Sequence, residues 1–203
     1  MEEKNHIDAV PENHSGDSLD AETVKSCAHL AEANALYATA KERLLNVSQW
    51  HQVAGEALAH FTLTDASGTP LSGHAQKGNL IKVDIPGPGT DAGDGFDWVL
   101  IEEIKEESAP DAESIAIRVR PTADPSSETQ ETSHFYDKQG TSTFTLSKSD
   151  LNVTAGVYDR NLEPNQDSTG FFDKIRNAII GFAGKKGVSI IQWKAFTDGL
   201  VAS

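Results

Sequence analysis

KVDIPGPGTDAGDGFDWVLIEEIKEE, from Lys82 to Glu107, reads as a strand, a long stiff loop and a second strand. Pro86 and Pro88 fix φ, while Gly87, Gly89, Gly93 and Gly95 permit backbone angles closed to other residues. In DWVLIEEI, alternation places Trp98, Leu100 and Glu102 on one face and Val99, Ile101 and Glu103 on the other. In LIKVDI the alternation is imperfect. A loop this elaborate inside a β-rich region is either a functional surface or an ornate connection between two strands.

The β signal extends in both directions from this stretch. SIAIRVRP puts Ile115, Ile117 and Val119 on one face and Ala116, Arg118 and Arg120 on the other, a half-buried strand ended by Pro121. Upstream, Phe61 and Leu63 share a face until Asp65-Ala66-Ser67-Gly68 breaks the run. HFYD, TSTFTLS and VTAGVYD supply further short strands. The region from Gln49 to about Tyr158 therefore predicts a mostly antiparallel, curved sheet or small barrel-like core.

Helical periodicity flanks it. A long N-terminal helix is expected from about Asp20, a good N-cap, to Asn46. Leu30, Ala33, Tyr37, Ala40, Leu44 and Val47 would share its buried face. A C-terminal helix pair is expected, with Phe172, Ile175 and Ile179 in the first member. Ile190, Trp193, Phe196 or Thr197, and Leu200 lie in the second, which Ser189 would cap. Gly181, Gly184 and Gly187 would separate the two. Residues 1–23 hold seven acids against Lys4 alone, so residues 1–19 read as a disordered acidic lead. The fold class is α+β, with residues 20–203 forming one domain.

Composition narrows the function. At 203 residues with a formal charge of −14, the surface repels phosphate backbones, and nucleic acid is not an expected partner. The tail after Phe171 is locally basic but lacks an aromatic ladder. Cys27 is the single cysteine, so no intrachain disulfide can form, which suits a reducing, cytoplasmic setting. It reads as a small buried hydrophobe rather than a nucleophile. No signal-like N-terminus and no membrane-length apolar run is present, so no membrane partner is expected.

The candidate surface is the loop 86–97. Its carboxylates Asp91, Asp94 and Asp97 are of the type that holds a hard cation, but their spacing with Gly95 departs from D-x-[DN]-x-[DN]-G. Recognition of a protein or ligand, and a purely structural turn, both stay open. YDRNLEPN, from Tyr158 to Asn165, adds Arg160, able to bind an anion bidentately or to pair with nearby acids. Arg118 and Arg120 carry the same two readings.

GFAGKKG fails as a phosphate loop, because Ile179 stands where the first glycine belongs and Gly187 where Ser or Thr belongs. The histidines lack zinc spacing, and a convergence of His51, His74 and His134 is the one arrangement left to test. No G-x-S-x-G is present. The doublets Glu102-Glu103 and Glu106-Glu107 read as a solvated charge run. No catalytic residue, metal site or cofactor is assigned.

DIPGPGTDAGDGFDWV, RVRPTADP, HFYDKQGTSTF, YDRNLEPN and IIQWKAF together resemble an uncharacterised family of bacterial proteins. The resemblance covers most of the chain after the acidic lead. It implies a soluble α+β protein and carries no activity or site.

The leading expectation is a non-enzymatic binding or assembly module that presents the 86–97 loop to a protein partner. The alternative is a small-molecule or lipid carrier of the helix-grip type, with a cavity between sheet and C-terminal helix. A hydrolytic enzyme ranks third. A large apolar cavity under that helix separates the first two: its presence favours the carrier, and a filled core excludes it.

Overall fold

Strands β1 (Asp17–Ser26), β2 (His60–Thr64), β3 (Leu80–Asp84), β4 (Asp97–Ala109), β5 (Ala112–Pro121), β6 (Thr141–Ser149) and β7 (Asn152–Leu162) form one antiparallel sheet. The computed structural model describes residues 7–55, 59–84, 96–127, 132, 136–163 and 184–202. The order across the sheet is β1-β7-β6-β5-β4-β3-β2, so β1 and β2, successive in sequence, lie at opposite edges. The chain between them holds α1 (Leu30–Leu45), a short 3-10 turn (Val47–Gln49) and α2 (Trp50–Ala54). The last element, α3 (Gly184–Leu200), packs on α2, β1 and β7. A curved antiparallel sheet gripping a C-terminal helix, with a helical crossover between its first two strands, is the helix-grip arrangement.

The sheet has two faces with different chemistry. Ile115, Ile117, Leu146, Val153, Ala155 and Val157 are fully buried and point to the helices. The alternation read in β5 holds. In β4 it does not persist, because a bulge falls between Ile101 and Glu103. The extra residue puts Glu102 and Glu103 on the same outer face, where both meet Arg118 at 3.2 and 3.1 Å. Glu102 also binds Arg120 at 2.5 Å. The glutamate doublet is thus part of an ion-pair network rather than a solvated run, and Arg118 and Arg120 spend their charge on it.

The N-terminal helix is shorter than its sequence suggests. Residues Asp17–Ser26 pair with β7 along nearly their whole length, and the helix begins only at Leu30. The pattern of β1 decides this: Leu19 and Ala21 are buried while Asp20 and Glu22 meet Arg160 and Tyr158 on the outer face. Period-two alternation therefore overrides the helical propensity of DAETVKS. Asp20 is a strand residue and not an N-cap. Within α1, Ala33, Tyr37, Ala40 and Leu44 are buried as their spacing predicts, whereas Leu30 is 56% exposed.

The acidic lead is also corrected, from residue 7 onward. Ile7 and Ala9 are buried with Ala116 on the outer face. Lys105 Nζ donates to the Ile7 carbonyl at 2.5 Å, and Arg118 Nη1 to the Ala9 carbonyl at 3.0 Å. Asn161, at φ 57°, completes the strap: its Oδ1 accepts from the backbone of His14 at 2.7 Å and of Ser15 at 3.2 Å. Two apolar side chains and a row of side-chain-to-backbone hydrogen bonds hold this segment where composition alone predicted disorder.

The C-terminal helix runs through Gly187 and Ser189, so neither breaks nor caps it. Phe196, Thr197 and Leu200 are buried, but Ile190 is 46% exposed. The first member of the expected helix pair lies outside the described residues. Two contacts fix the end of α3. Arg43 Nη1 donates to the carbonyls of Gly199, Leu200 and Ala202, capping the last turn. A Cβ placed on Gly199 would lie 1.8 Å from the Val53 carbonyl oxygen, so only glycine lets α2 and α3 approach this closely.

Candidate ligand cavity

A cavity of about 90 Å³ opens between the inner face of the sheet and α3. Its aliphatic wall comes from Ile81 and Val83 of β3, Val99 of β4 and Val119 of β5. Alternation along those strands turns these residues inward. Its aromatic wall is Trp50 of α2, Phe61 of β2, Phe144 of β6 and Trp193 of α3. Trp50 is the hub. Its ring centroid lies 4.5 Å from Phe144, 5.0 Å from Phe196 and 5.4 Å from Phe61, in tilted or edge arrangements. Its indole N–H donates to the Leu44 carbonyl at 3.0 Å, which locks the ring. A wider groove of about 450 Å³ lies beside Glu42, Arg43, Gln49 and Gln52, but it is a polar surface depression and not an interior.

The cavity has an acidic end. Asp159 of β7 continues the inward face of Val153, Ala155 and Val157 and is 3% exposed. Trp193 Nε1 donates to its Oδ2 at 2.9 Å. Its Oδ1 is buried and accepts no hydrogen bond of ordinary geometry among the described residues. Burial pushes the Asp159 carboxyl up to about 6. The Ser142 hydroxyl opposite, the Trp193 N–H and the Arg160 charge pull it back down, and the Asp20 charge pushes it up. Tyr136, also in the wall, is pushed up to about 12 by burial and by the charges of Asp159 and Asp17.

The residues singled out from sequence separate. Asp91 and Asp94 lie outside the described residues, as does His134. Asp97 begins β4 opposite Val83, is 3% exposed and lines the cavity beside its aliphatic wall. Arg160 is buried on the outer face, bound to Asp20 and to the Asp159 carbonyl. It is a sheet-edge tie between β7 and β1. His51 stacks on His60 at 4.9 Å and His74 meets Glu42 at 2.8 Å, so these two histidines do not converge. Among the described residues no cluster of metal-ligating side chains forms, and no helix is long and apolar enough to cross a membrane. Asp159 escaped the sequence reading. Its signal was an acid in phase with the apolar set of β7, in a strand that runs three residues past Asp159.

No protein-family model and no curated protein matches the chain. Several solved structures do. A hypothetical protein from Helicobacter pylori is 13% identical, with 92% of this chain and 87% of that one covered, at a TM-score of 0.45. A truncated norcoclaurine synthase from Thalictrum flavum is 6% identical over 94% and 96%, at 0.39. The major latex-like protein 151 of Panax ginseng is 10% identical over 82% and 97%, at 0.35. Likenesses at this level transfer no function, so the chemistry of the cavity is read from its own residues.

Proposed function

We propose that this chain is a small-molecule-binding protein of the helix-grip type, which encloses a mostly apolar ligand between its sheet and α3. The reading rests on one observation: an aromatic-walled cavity closed by α3 and ended by a buried carboxylate. Protein interiors otherwise pack to the density of organic crystals. An unfilled volume of about 90 Å³ forgoes about 2 kcal/mol at ~24 cal/mol per Å³. The helix over the cavity is continuous through Gly187, so that glycine does not interrupt it. This favours the carrier over a module defined by the 86–97 loop.

The test is titration with toluene. Trp50 and Trp193 both line the cavity, so occupancy is expected to change tryptophan emission saturably. Ala59→Leu, which places a larger side chain into the wall, is expected to abolish the change while circular dichroism stays native. No saturable response from the native chain up to the solubility of toluene would sink the reading.

A further inference from the structure

The cavity is apolar and aromatic, yet its wall carries acids and, among the described lining residues, no cation. Asp159 and Asp97 both line it and both are buried. Trp193 from α3 gives one N–H to Oδ2 of Asp159. Ser142 faces it from β6, and Tyr136 stands in the wall. Arg160, adjacent in sequence, points to the other face of the sheet and is bound to Asp20 of β1. Ser142 and Trp193 hydrogen-bond the Asp159 carboxylate and the Arg160 charge acts on it from the other face, but no cation stands beside it among the described residues that line the cavity, and its Oδ1 is met by no group at ordinary hydrogen-bond geometry.

A buried ionised carboxylate is costly unless a charge and hydrogen bonds answer it. The ring faces of Trp50, Phe61, Phe144 and Trp193 are electron-rich, and such faces attract ammonium groups rather than carboxylates or phosphates. Resting on the cavity reading above, we infer that the ligand is a small organic amine, whose ammonium group pairs with Asp159 while its apolar body lies against the aromatic wall. The volume sets the size of that body. About 90 Å³ is less than the ~150 Å³ of a cavity that takes benzene, so the body is a short branched chain, or a single ring only where the wall yields. The half-buried Trp193 is the wall that can give.

The raised carboxyl of Asp159 adds a dependence on pH. An ammonium ligand needs the ionised acid, so affinity rises with pH through about 6. Acids that share the field are Asp20 across β1, which acts on Asp159, and Asp17, which acts on Tyr136. Their charges favour a cation in the same direction.

Benzylamine, benzyl alcohol and benzoate have one ring and differ in charge. Titrated into the full chain at pH 8 and followed by tryptophan emission, benzylamine is expected to bind at least tenfold more tightly than the alcohol, and benzoate more weakly than either. At pH 5 the amine is still an ammonium, and its advantage over the alcohol is expected to shrink severalfold while the alcohol is little changed. Asp159→Asn is expected to erase the advantage and keep alcohol binding. Alcohol binding as tight as amine binding at pH 8 overturns the amine inference and leaves the cavity reading standing. An advantage that persists in Asp159→Asn overturns the assignment to this residue. Failure of all three probes overturns both. Should the variant not fold, the two-pH comparison on the native chain decides.

Discussion

Replacing Asp159 by Asn is expected to stabilise the unliganded protein at neutral pH, against the usual direction for a buried polar substitution. The carboxyl titrates near 3.8 in an unfolded chain and is pushed up to about 6 in the folded one. The folded state therefore holds its proton more tightly. The favourable contribution of Asp159 is fully present below the unfolded value and is lost as pH rises through 6. The gap of about two units corresponds to about 3 kcal/mol at 1.36 kcal/mol per unit. Asn keeps the shape and can still accept from Trp193, but one amide N–H pair lacks an acceptor, at a cost of about 1 kcal/mol. The variant is thus near neutral or slightly destabilised at pH 4 and more stable by about 2 kcal/mol at pH 8. Urea unfolding of both proteins from pH 4 to 8 measures this, and the difference between the two curves cancels the other titrating groups. Glu102 is one of these, and its sign is opposite. Burial raises it, but hydrogen bonds and charges from Arg120 and Arg118 outweigh burial and hold it below the ordinary range. Its contribution is present at neutral pH and lost on acidification. A difference that is flat across the window, or that grows toward acid, would refute the buried, counter-charge-poor reading of Asp159.

Three further outcomes follow from the packing. Gly199→Ala raises helix propensity by about 1 kcal/mol, yet its Cβ starts 1.8 Å from a backbone oxygen and must retreat past 3.0 Å. A shift of that size costs about 1–3 kcal/mol, so the melting temperature is expected to fall, and a rise would contradict the close approach of α2 and α3. Phe144→Ala removes a ring that meets Trp50, Trp193 and Phe196. The expected loss is about 3–5 kcal/mol in urea unfolding, with larger aromatic probes then admitted; a loss under about 1 kcal/mol would show that the ring is not central. Arg43→Ala frees three carbonyls at the end of α3. Faster amide exchange in that last turn and a loss of about 1–3 kcal/mol are expected; unchanged exchange would show that the cap is idle.

The β core was legible because its strands are amphipathic in the plain sense. Ile115, Ile117 and Val119 face one way, and Arg118 and Arg120 the other. Reading failed where local pattern and tertiary pairing disagree. DAETVKS has helix-forming residues but becomes a sheet edge, since β7 offers it a partner from Asn152 to Leu162. Residues 7–16 carry too few apolar groups to predict order, yet two of them suffice on a surface already flat with Ala116. The bulge at Glu102 has no signature in alternation, because it only shows as two acids in a row. For the site, Asp97 was singled out for its loop and proves to line the cavity, while Asp159 was passed over beside Arg160. A charge on an apolar face is visible only once the strand is known to continue through it.

Two features of this core work against stability, and they occupy the same place. A void of about 90 Å³ forgoes about 2 kcal/mol, and an ionised Asp159 withholds about 3 kcal/mol at neutral pH. Together they are a substantial share of the ~5–15 kcal/mol by which a domain is stable. Each has a simple remedy in sequence, a larger residue at Ala59 or an amide at position 159, and the fold carries neither. Other polar groups are answered within the fold: Arg43 caps a helix end, Glu102 pairs with two arginines, and Trp50 is locked by its one N–H. A single bound species with an apolar body and a positive head removes both defects at once, filling the void and answering the charge. No apolar filling and no single protein hydrogen bond does that. The coincidence of hole and carboxylate is what separates a binding cavity from a packing flaw, and it is why the amine, rather than the size of the pocket, is the sharper test.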